Sequence, residues 1–106
     1  PRVAAENVPL KLFDYMAAGK PIIATRGPAH EPLLDSTRAF MSDPNAQSFA
    51  AALLRACESP ARAALLAAAA QSYACRHFGW ERFVEFVRFT YCDALGEVRE
   101  LKRLLA

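Results

Sequence analysis

No apolar run in this sequence approaches the roughly 20 residues needed to cross a bilayer. No basic start, apolar stretch and small-residue cleavage site mark a secretory leader. Net charge is scarce as well. Thirteen Lys and Arg against 11 Asp and Glu leave +2, too little to argue for a nucleic-acid partner. The three cysteines, Cys57, Cys75 and Cys92, are odd in number and far apart. With no C-x-x-C pair and no Cys/His cluster there is no structural zinc pattern, and no metal is expected. The thiols read as reduced and mostly buried in a cytoplasmic protein.

What remains is an ordinary globular composition, 54% hydrophobic and 23% charged. Alanine inflates the first figure and contributes little burial per residue. The 106 residues suffice for one small domain with a modest core. The first residue is Pro1, and the polar pair Glu6-Asn7 follows almost at once with no strand before it. The sequence therefore reads as a piece of a longer protein.

Along the chain, Pro9 suits the first turn of a helix, where its missing N–H costs nothing. That helix is predicted to reach Ala18 and to stop at Gly19. Leu12, Phe13, Met16 and Ala17 share one face at helical spacing, with Lys11 and Asp14 on another. Pro21 to Thr25 is short, apolar and β-branched, as a buried parallel strand would be. Arg26-Gly27-Pro28 is a turn, and His30 to Leu34 is predicted as a short helix with Pro32 in its first turn. Ala39 to Met41 reads as a second strand. Asp43-Pro44-Asn45 reads as a turn that caps a helix over Ala46–Cys57. Ser59-Pro60 opens an alanine-rich helix to His77, Gly79 breaks it, and a last helix runs from Trp80 to Leu105. Strands alternating with helices argue for an α/β fold of few short parallel strands, several helices and a long C-terminal helix. Two such strands make no sheet alone, so further strands are expected upstream.

The segment Glu6 to Asp14 carries the chemistry. The first-turn N–H groups of a helix lack internal partners, and the helix dipole adds positive charge there. Phosphates favour such an end. Lys11 adds a full charge nearby. Asp14, one turn on, can accept two hydroxyl hydrogen bonds, as from a ribose, and Glu6 can accept hydroxyls of another sugar. A capped surface helix with solvated charges satisfies the same spacing.

The stretch Val8-Pro-Leu-Lys-Leu-Phe-Asp-Tyr-Met-Ala-Ala-Gly-Lys-Pro-Ile-Ile-Ala-Thr25 resembles the signature of group 1 glycosyltransferases. These are retaining, family 4-like enzymes of the GT-B fold, built from two Rossmann-like domains around a cleft. The resemblance extends more weakly to Tyr91, through His30-Glu31, Asp43 with Phe49 to Leu53, and Phe78-Gly79-Trp80. It implies that this chain is the C-terminal portion of a Rossmann-like donor-binding domain. It further implies that Glu6 is catalytic and contacts the donor sugar, that Asn7 and Val8 meet sugar or phosphates, and that Leu10 packs beside the nucleotide. Lys11 would lie near the phosphates or brace Asp14, and Asp14 would bind the ribose. The family's pattern has Glu where Asp14 stands, which sets this carboxylate back by roughly 1 to 1.5 Å.

The resemblance also implies a nucleotide diphosphate sugar as donor, no cofactor and no metal. The acceptor-binding domain would lie upstream in the same chain. Acceptors would be glycans, small molecules or lipid-linked groups, the last with a peripheral place at the inner membrane face. Residues 1–78 are read as part of the nucleotide-sugar-binding domain, and 79–106 as a C-terminal crossing helix and tail. Two other readings stay open: a nucleotide-sugar 2-epimerase of the same fold, and a non-catalytic interaction domain. His30 beside Glu31 fits a surface turn or an acid–base pair. Trp80, Phe83 and Phe86 fit helix-core packing or a sugar-stacking platform.

Overall fold

The computed structural model describes residues 8–106. The chain divides between Cys75 and Arg76 into two compact units. The first holds helix α1 (Lys11–Ala17), strands β1 (Ile23–Thr25) and β2 (Phe40–Ser42), helix α2 (Ala46–Glu58) and most of helix α3 (Pro60–Phe78). The second holds the end of α3 and helix α4 (Trp80–Leu105). Among the described residues no helix is long and apolar enough to cross a membrane.

The two strands pair in parallel, Ile23 opposite Phe40, Ala24 opposite Met41 and Thr25 opposite Ser42. Successive side chains leave a strand on opposite faces, and the core divides accordingly. Ala24 and Met41 join Leu12 and Met16 of α1, Leu33, Leu34, and Ala70 and Ala74 of α3. Ile23 and Phe40 serve the other face, with Ala52 of α2 and Ala63 and Leu66 of α3. Helices on both faces of a parallel pair are what an α/β layer requires. The described residues as a whole are mostly helical.

The alanine run has a packing role. Ala63, Ala67, Ala70 and Ala74 are all buried and recur at helical spacing on α3. Side chains this small let the α3 backbone lie close to its neighbours, and α3 contributes to both core clusters.

The helix ends follow local chemistry. The Asn45 side chain accepts a hydrogen bond from the Ser48 N–H at 2.8 Å, capping α2 as its sequence suggests. α1 ends at Gly19, which adopts φ 64° and donates to the Met16 carbonyl at 3.1 Å. That left-handed turn is what glycine supplies at low cost. A second clamp comes from α3, where Gln71 Nε2 donates to the Ala17 carbonyl at 2.9 Å.

Three expectations need correction. The segment from His30 to Leu34 forms consecutive turns, not a helix. Pro32 has no N–H with which to donate to the Pro28 carbonyl, so the turn cannot extend. The cysteines are exposed, all three of them, because each falls on an outward face of its helix. Nor do Trp80, Phe83 and Phe86 form a core. They are exposed, and no residue of α4 is buried.

Candidate functional site

Glu6 and Asn7 lie outside the described residues.

α1 begins at Lys11, two residues after the proline expected to open it. Pro9 and Leu10 form a tight lead-in turn. The Pro9 carbonyl accepts from Leu12 N at 3.0 Å and the Leu10 carbonyl from Phe13 N at 3.1 Å. These bonds use N–H groups that the sequence reading left open for an anion. The helix is also only 7 residues long, and Leu10 makes no side-chain cap. Cationic recognition at this end therefore falls on the Lys11 ammonium rather than on backbone donors.

The predicted residues take different places. Val8 is half-buried and packs against the core beneath α1. Leu10 is 82% exposed, so it covers nothing in the described chain and is open to a ligand. Lys11 and Asp14 are both exposed, on the face away from buried Leu12 and Met16. Of these residues only Lys11 lines the cleft described next.

That cleft has a volume of about 260 Å³ and lies between the start of α1 and β1. Pro9, Lys11, Leu12 and Tyr15 form one wall, Ile22 to Thr25 the other, and His30 lies at the end. The cleft runs along the whole of β1, from Ile22 to Thr25, and so reaches the carboxyl end of a parallel strand. Open α/β sheets bind their ligands at that end.

His30 also lines this cleft. Gly27 (φ 152°) bends the chain after β1, and its carbonyl accepts from both His30 N and Glu31 N at 3.0 Å. The bend returns the imidazole to the strand it just left, where Nδ1 lies 2.8 Å from the Thr25 carbonyl oxygen. A carbonyl only accepts, so Nδ1 carries the proton. In the neutral ring Nε2 is then an acceptor. Half-buried His30 thus presents a defined tautomer to the cleft, and its partner is Thr25 rather than Glu31. The signal available in the sequence was Arg26-Gly27-Pro28, a turn tight enough to fold a residue back onto Thr25.

Among the described residues no group of His, Cys, Asp and Glu could hold a metal ion.

Helices flank both faces of a parallel strand pair, and a cleft lined by Lys11 and His30 runs along β1. The family model for glycosyl transferases of group 1 matches residues 1–59, which include α1, both strands, α2 and this cleft. The chain belongs to that family. No curated protein and no solved structure gives a significant match.

Proposed function

We propose that this chain forms the nucleotide-sugar side of a glycosyl-transfer site in a GT-B enzyme. The whole protein would move a sugar, with retention, from a nucleotide diphosphate sugar to a glycan, lipid or small-molecule acceptor. The observation that carries this reading is the position of Lys11. It lines the cleft that runs along β1, together with Thr25 and His30.

Breaking the bond between sugar and diphosphate leaves positive charge on the sugar ring and negative charge on the departing oxygen. A fixed cation at that oxygen lowers the barrier, because it stabilises charge that is only partial in the ground state. Lys11 takes that role. Leu10, open to solvent, lies against the nucleotide. Asp14, one turn along α1, faces the ribose hydroxyls. His30 Nε2 accepts a hydroxyl of the donor. Glu6 takes the donor sugar, with Asn7 and Val8 beside it. The acceptor binds to a preceding domain of the same protein.

A panel of nucleotide diphosphate sugars, titrated calorimetrically into the full-length protein, tests the reading. One donor is expected to bind saturably. Lys11→Ala should weaken that binding by about 10- to 100-fold, the value of one charge-assisted hydrogen bond. It should leave binding of the bare nucleoside nearly unchanged. Glu6→Ala should abolish most turnover. No binding of any donor, or full turnover without Glu6, would end the proposal.

A further inference from the structure

A second cavity, of about 310 Å³, shares no lining residue with the donor cleft. Three arginines line it: Arg26 after β1, Arg55 in the last turn of α2 and Arg62 in the first turn of α3. Ser36 and Ser59 add hydroxyls, and no carboxylate is among the lining residues. We propose that this cavity is a binding site for a phosphate-type oxyanion, either the free ion or a small phosphate monoester.

The structural duties of the arginines do not account for the cluster. Arg55 donates to the Met41 carbonyl at 3.3 Å, covering a backbone acceptor of β2. That bond uses one N–H of its five donors. Arg26 lies 3.7 Å from Asp43, an exposed pair of little worth. Arg62 has no salt-bridge partner among the described residues. Three guanidinium groups around one cavity repel each other, and Asp43 offsets only one of them. A dianion offsets the rest and matches the planar fork of each guanidinium.

The start of α3 favours the same charge, while the C-terminal end of α2 at Ser59 opposes it and is offset by Arg55. α3 has no acidic residue in its first turn, and its dipole directs positive potential to Ser59 and Arg62. The volume lies at the lower end of the range for small-molecule pockets. A phosphate or a small phosphate monoester fits within it.

The test is calorimetric titration of inorganic phosphate, and in a separate arm phenyl phosphate, into the full-length protein at physiological ionic strength. Saturable binding of either is expected, and the tighter of the two identifies the source. Arg62→Gln should weaken it about tenfold, with an unchanged circular dichroism melt because Arg62 is exposed and has no ion-pair partner among the described residues. Arg55→Gln should weaken it similarly. Lys11→Gln should leave it as it is. The proposal is overturned if neither anion saturates, or if Arg62→Gln has no effect. It is equally overturned if Lys11→Gln removes the binding, which would place the anion in the donor cleft. Because the readout is phosphate and not donor, its failure is separate from failure of the glycosyl-transfer reading.

Discussion

Gly19 and Gln71 together close the C-terminal end of α1, and the closure can be taken apart by substitution. Gly19→Ala places a side chain at φ 64°, where an L-residue loses about 1–2 kcal/mol. The new Cβ would also lie 3.0 Å from Gln71 Nε2. Gln71 must then shift by a few tenths of an ångström, at the expense of its 2.9 Å bond to the Ala17 carbonyl. That bond is exposed and contributes about 0.5–1 kcal/mol. Gly19→Ala is therefore expected to cost about 1.5–3 kcal/mol, and Gln71→Ala alone about 0.5–1 kcal/mol. The double variant should cost no more than Gly19→Ala, since the same bond cannot be lost twice. Urea unfolding of the four proteins, fitted with a common m-value, measures this. Strict additivity would show that the two residues do not act on one another. A harmless Gly19→Ala would show that the left-handed turn is not needed.

Two further outcomes are expected. Met16 is 0% exposed beneath α1, so Met16→Ala should destabilise the protein by about 2–5 kcal/mol. Denaturant midpoints measure it, and a shift under about 0.5 kcal/mol would mean that α1 is not anchored there. Asp35 titrates below the ordinary carboxylate range, chiefly because its carboxylate accepts from the Thr37 hydroxyl, then from the Thr37 N–H. A depressed folded-state pKa adds stability above the unfolded value and loses it as pH falls through the folded value. Asp35→Asn should accordingly flatten the acid limb of the stability curve below the ordinary carboxylate pKa, and an unchanged limb would refute the link.

The parts of the fold that local chemistry decides were legible in the sequence. Asn45 caps α2, Gly19 stops α1, and Gly79 separates α3 from α4. Ile-Ile-Ala-Thr gives a strand with a parallel partner. What escaped depends on contacts distant in sequence. Gln71 reaches the end of α1 from 54 residues away. Arg38 lies over the Tyr73 ring at 4.1 Å, and no periodicity announces either contact. The site divided in the same way. Lys11 lies in a local pattern that the sequence displays, and the structure adds that it lines the cleft beside β1. The cleft wall supplied by His30 needed the fold-back onto Thr25, which only the three-dimensional path shows. The three-arginine cavity unites positions 26, 55 and 62, which no local motif connects.

These anchors bear on the shorter carboxylate of Asp14. A deficit of roughly 1 to 1.5 Å can be met by moving the helix or by changing what lies between carboxylate and ribose. Moving α1 is costly. Leu12 and Met16 are buried against the sheet, and Gln71 clamps the helix at Ala17. A shift of that size would open space beside Met16 or break the clamp, and packed interiors resist both. Under the glycosyl-transfer reading the ligand side must therefore adapt, most simply through a water that bridges Asp14 and the ribose. Asp14→Glu restores the reach without moving the helix, and an exposed position accepts the extra methylene. Donor binding should be retained or tightened, and the gain should vanish with a 2′,3′-dideoxy nucleotide. If Asp14→Glu weakens the natural donor while the dideoxy compound binds as before, Asp14 already contacts the ribose directly and the helix sits closer than its anchors imply.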